Sequence, residues 1–414
     1  MTAPAPYCGG RANADAGSAA ACREETSRLA LGVAPAAPKR QTRSSTGNAK
    51  ALAWRLCGAM VVLARLGANV LGKRKDVDVL VYKVDRLGDW LLAEPTLERI
   101  LSAAKLQSAT VAFWVADESA LLRRWRQPGC TVESFALEPE GTVKKIKRAW
   151  KIVGLLATYR ARSFICLRHA PEPIRDFVLG AVDAGEIRAL SWVIRGDSPQ
   201  EVPHEILRHC AILDGMGIAP PNSRDLLPNL AGRDRVRDGV AVIAPFSSGS
   251  IKDWSDESWI KVANELAIRG FQMELWVGPL QVARASELAG KMIGNNLATR
   301  VAVKSGSLRE LAGAIATARL VLSVDTFAAH VAAAMDAPLV SLIGGGQFGD
   351  FGPWRRSSRQ RWVSNRISCF GCDWRCVRPR VDCMLDILPS EVVAQADEAL
   401  LCDAETGTNA AASN

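Results

Sequence analysis

From Asp76 onward the chain alternates compact apolar runs with longer amphipathic stretches. A short unbroken apolar run reads as a strand buried on both faces, and apolar residues three and four apart read as a helix packed by one face. The first set of runs predicts strands at 77–84 (VDVLVYKV), 109–116 (ATVAFWVA) and 163–169 (SFICLRH). Helices are predicted over 89–104, 117–126, 142–160 and 203–217. A Pro/Asn/Asp-rich stretch at 219–235 interrupts the pattern. A second set follows, with strands at 239–246 (GVAVIAPF), 271–278 (FQMELWVG), 320–324 (LVLSV) and 338–344 (PLVSLIG). Its helices fall over 256–269, 281–292, 307–317 and 326–335. Strands that alternate with helices build a parallel sheet covered on both faces. The expected class is therefore α/β, with two Rossmann-like domains, 76–230 and 235–400, facing across a cleft. In such folds ligands bind beyond the carboxyl ends of the strands.

Residues 1–50 are rich in Ala, Pro, Gly, Ser, Thr and Arg and show no sustained apolar periodicity, so they read as a disordered basic tail. No signal-peptide pattern occurs there, and an Arg-rich, acid-poor tail also suits a transit peptide. Residues 51–75 read as an amphipathic helix whose longest uncharged stretch, Leu56 to Ala64, is too short to span a bilayer. With Arg55, Arg65 and the cluster Lys73, Arg74, Lys75, it suits either an anionic membrane surface or the flank of the folded body.

Charge sharpens this picture. The chain carries 52 Lys and Arg against 43 Asp and Glu, a net +9. The first 75 residues hold twelve bases and three acids, which accounts for the whole excess. A neutral body disfavours a general polyanion-binding protein, and no recognised nucleic-acid module is present. Within the first half, Arg123 to Arg162 holds ten bases against Glu133, Glu138 and Glu140. That segment is either a solvated helix face or a dock for an anionic acceptor.

Four motifs could carry chemistry. Lys83-Val84-Asp85-Arg86-Leu87-Gly88-Asp89-Trp90 lies where the first strand turns into its helix. Gly88 suits a tight turn, and Asp89 is either a helix cap or a carboxylate placed to accept a proton. Pro245-Phe246-Ser247-Ser248-Gly249-Ser250-Ile251-Lys252-Asp253-Trp254-Ser255 offers hydroxyl and backbone donors with one cation, Lys252, which suits a phosphate; it also reads as ordinary helix capping. Ser323-Val324-Asp325-Thr326-Phe327-Ala328-Ala329-His330 runs from a strand into an Ala-rich helix whose first N–H groups could bind a pyrophosphate. His330 lies one turn beyond Thr326 and is either a ligand contact or a satisfied interior residue. Gly344-Gly345-Gly346 follows the next strand as a flexible loop at the same edge. Finally, Cys369, Cys372, Cys376 and Cys383 crowd into 15 residues, a set that could hold a structural zinc or iron or remain as reduced or reversibly oxidised thiols.

Taken in order, these motifs resemble the ADP-heptose–lipopolysaccharide heptosyltransferase family, glycosyltransferase family nine. The resemblance covers roughly Val77 to Leu400. Arg86-Leu87-Gly88-Asp89 is similar to the family's R-L-G-D, Pro245-Phe246-Ser247-Ser248 with Lys252-Asp253-Trp254 to its P-G-S-S/T and K-x-W, and Ser323 to Ala334 to its S/N-D-S/T-x-x-x-H-x-A-A-A element. The Cys cluster also looks like one near the C-terminus of many members. The resemblance implies a GT-B fold and inverting transfer from a nucleotide sugar with no cofactor required for catalysis. It implies that Asp89 is the base, that Lys252 neutralises the departing diphosphate with Ser247 and Ser248 assisting, and that Asp325, Thr326 and His330 hold the donor. The implied acceptor is lipid-linked, a lipopolysaccharide or surface polysaccharide, and the implied location is peripheral, on the cytoplasmic face of the membrane. Three features depart from the family: Phe246 and Phe327 stand where members often have Gly, and Pro279-Leu280-Gln281 lacks an acid that many members carry. The same fold acting on a protein or another glycan, and a catalytically idle nucleotide-sugar-binding module, are the alternative readings.

Overall fold

The computed structural model describes residues 29–31, 45–117, 130–137, 141–168, 173–195, 204–219, 223–230, 237–292 and 300–411. The first half opens with a short strand β1 (Leu29–Leu31) and a long helix α1 (Ser45–Val70). It continues through β2 (Lys75–Lys83), α2 (Leu87–Leu106), β3 (Val111–Ala116), β4 (Cys130–Phe135), α3 (Thr142–Thr158), β5 (Tyr159–Cys166), α4 (Pro173–Ala181) and β6 (Ala184–Ala189). The sheet order is β4-β3-β2-β5-β6, with every neighbouring pair parallel. A short strand β7 (Val193–Arg195) pairs antiparallel with β1, within the segment expected to be a disordered tail. Helix α5 (Glu205–Gly215) completes this half.

The second half runs β8 (Arg237–Ala244), α6 (Asp256–Ile268), β9 (Gln272–Trp276), α7 (Val282–Met292), β10 (Val301–Lys304), α8 (Leu308–Thr317), β11 (Ala318–Val324), α9 (Phe327–Ala334), β12 (Leu339–Leu342), β13 (Gln360–Val363), α10 (Asp382–Leu385) and α11 (Pro389–Ala411). Its sheet is also wholly parallel, in the order β10-β9-β8-β11-β12-β13. Both halves are therefore doubly wound. The chain steps outward from β2 to β4, then crosses back to β5; it steps from β8 to β10, then crosses back to β11. Such reversals leave a crevice beyond the strand ends, between β2 and β5 and between β8 and β11.

Local sequence explains the elements. Every residue of β3 and nearly every residue of β11 is buried, so an unbroken apolar run is what a central parallel strand needs. Ser255 caps α6 by accepting the Ser258 N–H, and Ser307 with Glu310 forms a reciprocal capping box at α8. The helix expected over 142–160 stops at Thr158, because Tyr159 and Ala161 turn inward as alternate residues of β5. The helix expected over 117–126 lies outside the described residues apart from Asp117.

Helix α1 packs on the first half through Val61 and Ala68. The Arg65 guanidinium donates to the carbonyls of Leu156 (3.1 Å) and Ala181 (2.7 Å), pinning α1 across α3 and α4. The opposite face stays apolar and open to solvent at Leu56, Val62, Leu63, Leu66 and Val70. Among the described residues no helix is long and apolar enough to cross a membrane.

The halves touch through α2 and α9. Buried residues of both helices belong to one apolar cluster, among them Trp90, Leu91, Ala328 and Val331. Backbone bonds join them as well: the Leu230 N–H donates to the Ala334 carbonyl (3.0 Å), and the Glu205 N–H to the Asp350 carbonyl (2.8 Å).

Candidate active site

The first crevice is lined by charge. Strand β2 ends on Lys83, whose ammonium is fully buried and donates to Asp85 Oδ2 (3.1 Å), Glu205 Oε1 (3.0 Å) and the Leu167 carbonyl (2.9 Å). Burial alone would lower the Lys83 pKa, but Glu205, Asp85 and Asp89 together raise it, so it stays a cation. Asp85 also accepts from the Arg168 guanidinium (3.0 Å); burial works against its ionisation, yet the two cations hold it below the usual carboxylate range.

Asp89 sits in the first turn of α2 but does not cap it. The cap position is Arg86, which makes no side-chain capping bond. The half-buried Asp89 carboxyl shares a hydrogen bond with Asp85, and burial, then the negative charges of Asp85 and Glu205, raise its pKa well above the ordinary value. A carboxylate so destabilised is a stronger proton acceptor than one in water. Burial likewise pushes Glu205 up to about 7 against the pull of Lys83.

The second crevice carries one cation. The Lys252 ammonium donates to Asp325 Oδ2 (2.8 Å) across the gap between β8 and β11. The His330 Nε2 stands 3.6 Å from Asp325 Oδ1. Its Nδ1 accepts a hydrogen bond from the Trp354 indole (3.0 Å), and the two rings lie stacked, 7° from parallel. That bond fixes the imidazole with its Nε2 toward Asp325. Burial lowers the His330 pKa against the pull of Asp325. Thr326 is the cap position of α9, and its hydroxyl meets that of Ser323 (3.1 Å). The first-turn N–H groups of α9 open at the same place, so dipole and cation point at one spot, as an anionic ligand requires.

The two crevices meet. Gly88 packs against the His330 ring. Arg86 Nη1 donates to the Ser248 hydroxyl (3.1 Å), tying the first motif to the second across the halves. Asp89, Lys252, Ser248, Asp325, Thr326 and His330 are thus brought to one region. Ser247 is used differently: its hydroxyl donates to the Gly249 carbonyl, and its N–H donates to Asp253 Oδ1 (2.9 Å), so it shapes the loop from within.

The three departures from the family pattern have places here. Phe246 is buried beneath the Arg284 guanidinium, 3.9 Å from the ring centre, and Arg284 also pairs with Asp253 (2.5 Å). Phe327 packs on the apolar cluster shared by the halves. Gln281 donates to the Ser247 carbonyl (2.7 Å), a bond that an acid at this position could not make while ionised.

Cys369, Cys372, Cys376 and Cys383 line one small cavity, together with Gly345 and Phe370. The Cys372 and Cys376 side chains share a hydrogen bond. Among the described residues no three His, Cys, Asp or Glu side chains are grouped to hold a metal ion. All four are free thiols.

Pattern reading did not single out Glu205, Arg168 or Trp374, and it gave Lys83, Asp85 and Trp354 no role of their own. Lys83 and Asp85 stand inside the first motif, where a charged pair at the end of an otherwise apolar strand was the available signal. Glu205 and Arg168 reach the crevice from elements far along the chain, and nothing local marks them.

Residues 216–373 match the model of glycosyltransferase family 9 (heptosyltransferase). Among curated proteins, lipopolysaccharide heptosyltransferase 3 of Escherichia coli is 29% identical over 192 residues, 46% of this chain and 55% of that protein. The same enzyme of strain K12 is 31% identical over 168 residues, 40% of this chain and 47% of that protein. The chain thus spans about half the length of the curated relatives it matches. Of solved structures, E. coli heptosyltransferase WaaC with ADP aligns with a TM-score of 0.52 at 20% identity, over 78% of this chain and 99% of that one. A family 9 glycosyl transferase from Veillonella parvula aligns with a TM-score of 0.55 at 15% identity, over 80% and 99%. The fold is GT-B, two Rossmann-like halves, as the strand–helix alternation and the motifs imply.

Proposed function

We propose that this chain, whose residues 216–373 match the glycosyltransferase family 9 (heptosyltransferase) model, transfers a sugar from a nucleotide-sugar donor of the ADP-heptose type to a lipopolysaccharide or surface-polysaccharide acceptor, with inversion and without a catalytic metal. The observation that carries this reading is that Lys252, paired with Asp325 at 2.8 Å, and Asp89, whose proton affinity is raised by burial and by Asp85 and Glu205, line the two crevices joined by the Gly88–His330 and Arg86–Ser248 contacts. A base and a leaving-group cation on facing switch points are what a single displacement needs.

In that reaction the acceptor oxygen attacks the anomeric carbon, and its proton passes to the Asp89 carboxylate. The bond from the anomeric carbon to the phosphate oxygen breaks, and its electron pair leaves with the nucleoside diphosphate. Lys252 and the first-turn N–H groups of α9 stabilise the charge that grows there, supplying what a divalent cation supplies in other transferases. Asp325 holds Lys252 ready, and His330 and Thr326 position the donor. Ser248 joins them through Arg86, while Ser247 keeps the loop in shape.

The outward face of α1 adds the location. A helix with bases, no acidic residue in its span, and an exposed apolar face suits an anionic membrane surface, which supports a peripheral position on the cytoplasmic face beside a lipid-linked acceptor.

The test is transfer from radiolabelled ADP-heptose to a lipopolysaccharide core extract. Asp89→Asn should abolish transfer and keep donor binding, whereas Lys252→Ala should weaken both. Full transfer by purified Asp89→Asn would sink the base assignment. Donor binding with no turnover in the wild-type protein would leave the binding-module reading, and turnover only on a protein or another glycan would redirect the acceptor.

A further inference from the structure

The glycine run Gly344-Gly345-Gly346, expected to be a flexible loop, is a bed for two rings. A Cβ on Gly346 would stand 2.2 Å from Trp374 Cδ2, one on Gly344 would stand 2.6 Å from Trp374 Cη2, and one on Gly345 would stand 2.4 Å from Phe370 Cδ2. No side chain could occupy any of the three without displacing an indole or a phenyl ring. The cysteine-rich loop is stitched onto this bed. Gly371 N–H donates to the Gly345 carbonyl (2.7 Å), Asp373 N–H donates to the Gly346 carbonyl (2.8 Å), and Gln347 Nε2 donates to Asp373 Oδ1 (3.3 Å).

Two consecutive residues of that loop, Asp373 and Trp374, hold the left-handed backbone conformation that side chains rarely adopt (φ 51° and 58°). Such strain persists only where the surroundings over-determine it, and it gathers at functional sites. Here the surroundings are the bare glycines below and a cation above: Lys252 Nζ lies 5.5 Å over the centre of the Trp374 ring. The same ammonium is 2.8 Å from Asp325.

These contacts act differently on the lysine. Asp325 cancels its charge, which works against capture of a diphosphate. An aromatic face attracts the cation through its quadrupole and leaves the net charge in place. We propose that Trp374 is the positioning residue for Lys252: with the cysteine loop as its support, it keeps the ammonium at the diphosphate site when the ligand displaces Asp325. This inference rests on the nucleotide-sugar reading of the same crevice.

Trp374→Leu removes the aromatic face, and Trp374→Phe keeps it. Calorimetric titration with ADP, together with a thermal melt to establish folding, separates the outcomes. Trp374→Leu should weaken ADP about 5- to 10-fold with a parallel rise in the donor KM, and Trp374→Phe should stay within about 2-fold of wild type, the range expected of a partly desolvated cation–π pair. In a Lys252→Met background, Trp374→Leu should add nothing, because the two residues act as one unit. A folded Trp374→Leu that binds ADP as tightly as wild type overturns the contact. So does a Phe variant that loses as much as Leu, or an undiminished loss in the Lys252→Met background. A wild-type protein that binds none of ADP, GDP, UDP or dTDP overturns the nucleotide-sugar reading and this contact with it.

Discussion

Gly88, in the first turn of α2, lies so close to His330 of α9 that a Cβ placed on it would stand 3.2 Å from the imidazole Cδ2. The glycine is therefore required for contact between the halves, since its φ is not among the positive ones. Only a bare backbone lets the helix that carries Asp89 approach the helix that positions the donor. Gly88→Ala asks His330 to give way by a few tenths of an ångström, and Gly88→Val asks for more. Gly88→Val should cost about 1–3 kcal/mol of stability, as overpacking does, and lower kcat/KM about 100-fold, as a displacement near 1 Å does. Denaturant melts and transfer rates on the Ala and Val variants check this; equal activity in both would show that the approach does not matter.

The raised proton affinity of Asp89 has a kinetic signature. The base works only when deprotonated, so transfer should rise with pH through an acid limb well above the ordinary carboxylate range. Burial raises Asp89 first, and the charges of Asp85 and Glu205 add to it. Removing one of those charges should lower its pKa. Glu205→Gln is expected to move the acid limb to lower pH in a kcat/KM profile. A limb that stays in place, or moves upward, would detach Glu205 from the base.

Much of this arrangement was legible in the sequence, and what was not has a common physical cause. Every central strand of the two parallel sheets was marked by a compact, largely apolar run, because a strand flanked on both sides and covered on both faces admits little else. The short β1–β7 pair was unmarked, and within the two parallel sheets the strands that no run marked are β4, β6, β10 and β13, the outermost strand on each side of each. Their residues alternate or stay half-exposed, as in Val301–Lys304, so they carry polar side chains that blur the signal. The site divides the same way. Asp89, Lys252, Asp325 and His330 stand in the segments that follow strands β2, β8 and β11, where local pattern and position coincide. Glu205 and Trp374 act on them from α5 and from the cysteine loop, and only the tertiary fold brings those segments near.

Lys83 is the keystone of the buried charge cluster. Its three bonds, to Asp85, Glu205 and the Leu167 carbonyl, leave no room for a neutral substitute without stranding charge. Lys83→Met would leave Asp85 and Glu205 buried beside Asp89 with one cation fewer. A loss of about 3–5 kcal/mol is expected, as when one partner of a buried ion pair is removed. Lys83→Met combined with Glu205→Gln should recover part of it. Urea unfolding of the single and double variants measures both, and an additive double variant would deny the coupling.

The His204 imidazole links stability to pH. Its Nδ1 accepts the Ile206 N–H as the cap of α5, and burial, with the neighbouring His330, lowers its pKa to about 4. A histidine with a depressed pKa is neutral in the fold and charges more readily when the chain unfolds. The unfolded state thus binds more protons between about pH 4 and pH 6.5, so stability should fall as pH is lowered through that window. His204→Asn keeps a capping oxygen and removes the titration. The slope of unfolding free energy against pH should then shrink by about one proton in that window. An unchanged slope in thermal or urea melts would assign the acid sensitivity to other groups.

Helix α1 does not present its apolar outward face alone. Helix α3, against which it packs, turns Val143, Ile146 and Trp150 to solvent beside Lys144, Lys145 and Lys147, and neither helix contains an acid. Leu63 is 68% exposed and Trp150 60%, values typical of polar positions rather than of a packed core. A second copy of the same face would bring bases against bases, whereas anionic headgroups complement them while the acyl boundary takes the apolar side chains. Sedimentation with phosphatidylglycerol vesicles should therefore bring the protein down, and pure phosphatidylcholine vesicles should bind it weakly. Leu63→Glu with Leu66→Glu should release it through the loss of apolar area. Lys144, Lys145 and Lys147 changed together to Gln should lower binding about 100-fold, at roughly 1 kcal/mol per lysine, and the loss should be mimicked by salt in the wild type. Binding that ignores lipid charge, or survives both sets of changes, would remove the membrane from the account of these two helices.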